Sequence, residues 1–301
     1  VVLQLCGLGS VAVPADAAAS AGSHVAAALP AHLGPQAVEA SRPALWAALD
    51  AGPPRWRAAA VLLRGTGAAG EATLPVLRQL AAAGDDPVVA MWTGQFCLRS
   101  EACTQADRQR WLDLEPDNLA PWLDVLASAP AGAAREALLP RMAMAQRFDL
   151  HFHALLDAVL QGMPSAVMPY LQQQLWIEAI GIEAATALPS LQALGAACAE
   201  PLDRGSPRRA ACGAIARTMV EHSDTLLGAG MGLRLAERTY MPQAEAKALR
   251  AALTTGMAPS PVLFEGPQPL SCASVDRVRT WMQQLASQGE MASLRAASTP
   301  R

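Results

Sequence analysis

Pro116-Asp117-Asn118-Leu119-Ala120-Pro121-Trp122 is the stretch that decides the fold. Proline cannot continue a helix, and the residue before it is pushed out of the helical region. Asp117 and Asn118 carry short polar side chains of the kind that accept from the free N–H groups at a helix start. The helix they open begins on Trp122, a large apolar anchor. One helix therefore stops and another starts within a few residues, which makes a tight helix-to-helix junction.

The same punctuation recurs outward from this junction. Ala51-Gly52-Pro53-Pro54, Gly84-Asp85-Asp86-Pro87, Ser206-Pro207 and Ser223-Asp224 each read as a stop or a capped start, and Thr104 caps another helix. Between these breaks the spacing of apolar residues predicts helices over 43–49, 55–63, 71–83, 88–98, 104–114, 118–127, 133–148, 150–161, 207–221, 223–238, 242–254 and 274–286. Leu74, Leu77 and Leu80 share one face of their helix. Pro140 should kink the helix over 133–148, and Pro169 and Pro189 should break the long segment over 166–197. Alternating Val/Ile runs, the mark of strands, are nearly absent. The expected fold is all-α, with antiparallel helix pairs stacked as an α-solenoid, because one pair cannot bury its apolar face alone.

Composition agrees. Of the 301 residues 52% are hydrophobic but only 4% aromatic, so Ala, Leu, Val and Met must build the core. The net charge is −3 with 16% charged residues and no basic stripe, which argues against nucleic acid and anionic membrane as partners. Lys247 is the only lysine, a bias of coding composition rather than of phosphate recognition. No apolar run reaches the roughly 20 residues that span a bilayer. Residues 1–13 are apolar and Pro14-Ala15-Asp16-Ala17 follows, so 1–17 read as the remnant of a signal peptide cut after Ala17; a buried first helix is the competing reading. Residues 18–36 read as a flexible segment, 37–287 as the helical-repeat domain and 288–301 as a frayed tail.

Six cysteines bear on compartment. Cys97 and Cys103 straddle a helix–turn boundary, and Cys198 and Cys212 flank a Pro-bounded loop. Both spacings let the Cα atoms meet at about 5.5 Å, the disulfide range. Two such staples fit an oxidising environment, periplasmic or secreted. Buried free thiols are the alternative, and Cys272 is left odd and free.

The junction around Pro116 resembles the tetratricopeptide family, whose pattern places an aromatic residue six after the proline that ends the preceding repeat, as Trp122 follows Pro116. Leu126 and Leu150 stand where that family has a small residue and the next closing proline, so the repeats are degenerate. Taken whole, the chain also resembles an uncharacterised family of exported proteins from xanthomonad-type bacteria, on its Cys97-x5-Cys103 element, Trp111-x-x-Leu114-Glu115-Pro116-Asp117-Asn118 and Arg147-Phe148-Asp149. That resemblance implies no activity.

Several constellations carry possible chemistry. Gly65-Thr66-Gly67-Ala68-Ala69-Gly70 matches the dinucleotide fingerprint, with Asp85 beyond it, but that chemistry needs a preceding strand, and a helix is expected there. His151 and His153 are two apart; on a helix they would point to opposite sides and could not share a metal ion. Cys97 with a distant His would make a thiol nucleophile, although Cys103 favours a disulfide. Gly228-Ala229-Gly230-Met231-Gly232 reads as close helix packing. Met142, Met144, Met163 and Met168 read as core rather than as an adaptable groove. No catalytic, cofactor or metal set emerges. The functional expectation is a non-enzymatic helical-repeat scaffold that binds a protein or peptide in the cell envelope. Its alternative is a cell-envelope hydrolase or lyase with scattered carboxylates such as Asp157, Glu178 and Glu183.

Overall fold

The computed structural model describes residues 2–5, 9–12, 35–65, 70–97, 103–185, 191–199, 203, 205–257 and 272–298. Two short strands, β1 (Val2–Leu5) and β2 (Gly9–Ala12), pair antiparallel with Val2 opposite Ala12. Among the described residues all other regular structure is helix, and the fold is all-α. The strands replace the first helix that the apolar start allows. Most of 1–17 and 18–36, including Cys6 and Pro14–Ala17, lies outside the described residues, as does Pro189.

The chain forms two compact units. The first unit is assembled from segments far apart in sequence. It contains residues Val1–Thr66, His153–Ala185 and Pro259–Ser287. Its helices are α1 (Pro35–Asp50), α2 (Pro54–Arg64), α9 (Ala154–Gly162), α10 (Pro169–Ala185) and the first part of α15 (Cys272–Ser298). α1 packs on α2, and α9 lies against both and against α10. Leu45 and Leu49 of α1, one turn apart, are buried with Ala58–Ala60 and Leu63 of α2 and with Leu155, Leu156 and Val159 of α9. Val278, Met282 and Leu285 give α15 its buried stripe, and the Arg279 guanidinium lies 5.7 Å from the Trp176 ring.

The second unit contains Gly67–Phe152, Thr186–Ala258 and Gln288–Arg301. Its first four helices are α3 (Gly70–Ala82), α4 (Pro87–Cys97), α5 (Gln105–Leu114) and α6 (Leu119–Ser128), and each packs on the next. Leu74, Leu77 and Leu80 are buried together on α3, as their spacing requires. α4 is buried over nearly its whole length, from Val88 to Gln95 and at Cys97. Its start is capped by Asp86, which accepts from Val88 N at 3.0 Å. α5 opens on a reciprocal cap between Thr104 and Asp107. α6 opens on Asn118, which accepts from Ala120 N.

Here the single kinked helix expected over 133–148 gives way to two short ones, α7 (Ala133–Glu136) and α8 (Leu139–Met142). The reason is steric: the ring of Pro140 would meet the carbonyl of Glu136, four residues earlier, and α7 ends there. α11 (Gln192–Ala197) packs on α6 and α7, and α12 (Pro207–Glu221) packs on α8. α12 and α13 (Leu226–Thr239) form the most intimate pair, followed by α14 (Gln243–Met257). A Cβ at Gly232 of α13 would stand 2.5 Å from the Met219 Cβ and 2.9 Å from Val220 N of α12. The glycines of α13 thus serve close packing. Ser206 caps α12 as expected, but α13 is capped by Thr225, just beyond Ser223-Asp224.

α15 runs to Ser298 through a break at Gly289, whose φ of 77° is left-handed and suits glycine. Glu290 then accepts from Leu226 N at 2.9 Å, and its own N–H donates to the Asp224 carbonyl at 3.0 Å. This docking at the start of α13 holds the segment.

Candidate functional site

Three helix junctions of the second unit lie side by side. The α5–α6 junction contributes Glu115–Asn118, the segment after α8 contributes Arg147–His151, and the α12–α13 junction contributes His222–Thr225. They are joined like a short parallel ladder, with bridges Asn118 to Arg147 and Phe148 to Ser223. Leu119 N donates to the Arg147 carbonyl at 2.8 Å, Phe148 N to the His222 carbonyl at 3.0 Å and Asp224 N to the Phe148 carbonyl at 3.2 Å. Asn118 is the hinge pin of this arrangement. Fully buried, it accepts from Ala120 N and from Asp149 N, and its amide donates to the Asp149 carbonyl at 2.8 Å.

Glu115 sits at the centre. Oε2 accepts from Trp111 Nε1 and His151 Nε2, each at 2.8 Å, and from Asn118 at 3.1 Å. Oε1 accepts from Arg147 Nη2 at 2.8 Å. Burial alone would push its carboxyl up, but His151, Arg147 and Asn118 outweigh burial and hold it well below the usual carboxylate range. Burial likewise opposes charge on His151, yet the bond to Glu115 and the nearby Asp149, Glu115 and Asp224 charges raise it above its ordinary value. His151 has a positive φ of 49°, the only such non-glycine residue among those described, and that turn aims its ring at Glu115.

Asp149 and Asp224 make a like-charged pair beside it. Burial first, then the Asp149 charge, push the Asp224 carboxyl up to about 7. Its Oδ1 is buried without a hydrogen-bond partner. Arg147 reaches further, to Asp117 and Asp149, each at 3.3 Å. Trp122 Nε1 donates to the Pro116 carbonyl at 3.1 Å, which explains physically why an aromatic residue stands six after that proline. The Arg141 guanidinium lies 4.9 Å from the Trp122 ring. Thus Pro116, Asp117, Asn118 and Trp122, singled out as a repeat junction, converge on one network. Glu115, His151, Asp149 and Asp224 join them, and sequence reasoning missed this cluster.

The other candidates separate. Glu178 pairs with Arg42 at 2.7 Å. Glu183 accepts from Leu155 N and Leu156 N at 2.8 and 2.9 Å and so caps α9; burial pushes its carboxyl up. Asp157 accepts from Gln161 one turn on. His151 faces Glu115, whereas His153 stands 3.7 Å from Glu183, so the two do not meet one ion. The residues before Gly65 are helix α2, not the strand a dinucleotide fold needs, and Thr66–Ala69 lie outside the described residues. Met142 is fully buried while Met144 is 71% exposed, so the methionines form no single stripe.

Both expected cysteine pairs are disulfides. Cys97 and Cys103 have Cα atoms 4.8 Å apart, and Cys198 and Cys212 are 5.9 Å apart. The side chain of Cys272 lies outside the described residues. The sulfurs of Cys97 and Cys103 lie within 4.8 Å of an Asp107 carboxylate oxygen, but with both joined in a disulfide the trio offers an ion only the carboxylate. Among the described residues no helix is long and apolar enough to cross a membrane. No family model, curated protein or solved structure matches this chain.

Proposed function

We propose that the chain is a non-enzymatic helical scaffold that binds a protein or peptide partner in an oxidising compartment outside the cytoplasm, the periplasm or the exterior. The observation that carries this reading is how the buried polar groups are used. The donors that reach Glu115 come from two places, Trp111 and Asn118 beside Glu115 itself and Arg147 and His151 from the segment after α8, so the network uses its charge to fasten that segment to the α5–α6 junction. Met144, Leu227 and Tyr240 of the same unit stand 71%, 47% and 37% exposed and are the positions at which a partner is sought. The two disulfides support the compartment, since thiols stay reduced in the cytoplasm. The degenerate tetratricopeptide-like junction, with Trp122 bonded to Pro116, supports reading the helix pairs as repeats.

The test is site-specific photo-crosslinking at Met144 in the exported, full-length chain. A discrete adduct with a polypeptide is expected, and its loss on adding competitor partner. A smear, or no adduct at Met144, Leu227 or Tyr240, removes the binding reading.

One observation favours the alternative, an envelope hydrolase or lyase. Asp224 is a buried carboxyl whose proton is held near neutrality beside Asp149 and His151, as general acids often are. The carboxylates named from the sequence do not converge, so this alternative rests on Asp224. Asp224→Asn separates the two: it abolishes turnover if the cluster is catalytic and leaves partner capture intact if it is structural.

A further inference from the structure

The two disulfides stand in opposite surroundings. Cys198 and Cys212 are both fully buried, and among the described residues no hydrogen-bond donor reaches either sulfur. Cys97 is also fully buried, at the end of α4, but Cys103 is only half-buried and stands one residue before Thr104, the cap of α5. Arg108, in the next turn, donates from Nε to Cys103 Sγ at 3.2 Å. On the other side, Cys97 Sγ lies 3.6 Å from Asp107 Oδ2. Burial opposes the Asp107 charge, but Arg78 and Thr104 hold its carboxyl down to about 2, so it is an anion. The Arg108 cation thus reaches Cys103 alone, whereas the Asp107 anion stands 3.6 Å from Cys97 and within 4.8 Å of both sulfurs.

We propose that Cys97–Cys103 is a redox-active disulfide that exchanges with thiols of a client polypeptide, with Cys103 the sulfur that is attacked, whereas Cys198–Cys212 is purely structural. The asymmetry assigns the roles. A client thiolate reaches the half-exposed Cys103, forms a bond to its Sγ, and the Cys97–Cys103 bond breaks. The electron pair leaves on Cys97, which takes up the proton that the client thiol gave up, because a thiolate beside the Asp107 anion is disfavoured. Cys97 then rests as a thiol whose S–H donates to Asp107. A second client thiolate attacks the client sulfur of the mixed disulfide, and Cys103 leaves as a thiolate held by Arg108 and the start of α5. The sum is two client thiols oxidised to one disulfide, with one protein disulfide reduced to two thiols. Reversal with a disulfide-bearing co-reactant restores the bond. This inference does not depend on the scaffold reading.

The test uses the full chain in a graded series of glutathione buffers, with thiols trapped and each cysteine peptide quantified by mass spectrometry. Cys97–Cys103 is expected to open at a ratio of reduced glutathione squared to oxidised glutathione at least about tenfold lower than Cys198–Cys212, a difference of about 30 mV. A dithiol peptide offered in place of glutathione should be oxidised in a single turnover, which distinguishes a polypeptide client from a small thiol. In the reduced protein the alkylation rate of Cys103 should inflect below the ordinary thiol value of about 8.5, and Arg108→Gln should move that inflection up by about one pH unit. If Arg108→Gln does not fold, the profile of the unmodified chain decides alone. Opening of both disulfides at one ratio, an inflection of Cys103 at or above the ordinary thiol value, or an unoxidised dithiol peptide overturns the proposal.

Discussion

Asp224 is where the residue scale matters most, because its carboxyl is pushed up to about 7 inside a junction built from three loops. In the unfolded chain an aspartate titrates near about 3.9. A group raised on folding contributes stability that is complete below the unfolded value and is lost as pH climbs to the folded one. The loss therefore runs from about pH 4 to about pH 7 and is flat above. Asp224→Asn keeps the shape without the charge, so its melting temperature should gain on the wild type across that window and then hold a constant lead. Thermal melts at several pH values check this, and a lead independent of pH would show that Asp224 carries no buried proton. Glu115 has the opposite sign: held low, it stabilises above its unfolded value and its contribution fades as pH falls. Truncating Glu115 to Ala should be among the most damaging changes, about 3 kcal/mol or more, because His151 and Arg147 lose their shared anion inside the fold. Chemical denaturation measures it. None of this was legible beforehand. Glu115, His151 and Asp224 lie in separate junctions, and nothing local in the sequence says that a left-handed turn at His151 will join them.

Local elements were far more legible, because caps act within a turn. Asp86, Thr104, Asn118 and Ser206 each accept from the first free N–H groups of the helix they were read to open. The cysteine spacings also held, since a short loop leaves few geometries for its ends. The reading failed at 133–148, where apolar spacing outvoted Pro140; the bond from Leu226 N to Glu290, across 64 residues, has no local signal at all. The α12–α13 pair offers the cleanest element-scale prediction. Gly232 faces the α12 backbone, whereas a Cβ at Gly230 would meet nothing within 4 Å. Gly232→Ala should force the two helices apart at about 1–3 kcal/mol, the usual magnitude of overpacking. Gly230→Ala should stabilise α13 by about 0.5–1 kcal/mol, because Ala has the better helix propensity. The two substitutions are the same in chemistry and two positions apart, so opposite signs in equilibrium unfolding isolate the packing contact. Equal signs would remove the close-approach argument.

Across the whole molecule, both disulfides belong to the second unit. They join Cys97 to Cys103 and Cys198 to Cys212. The first unit, built from α1, α2, α9, α10 and part of α15, has no disulfide among its described residues. Its described residues are held by apolar contacts such as Leu45 and Leu49 with the faces of α2 and α9, and by the Arg42–Glu178 pair. A cross-link closing a loop of about 15 residues restricts the unfolded chain by roughly 3 kcal/mol in the entropy model. That is a large share of the 5–15 kcal/mol that roughly bounds the stability of a domain. Reduction should therefore lower the melting temperature while leaving the helix signal in the cold unchanged. Hydrogen exchange under reductant should lose protection in 70–152 and 191–257 while 35–65 and 154–185 keep theirs. Peptide-level exchange with and without reductant checks this. A uniform loss across both sets of peptides would mean that the two units unfold as one body.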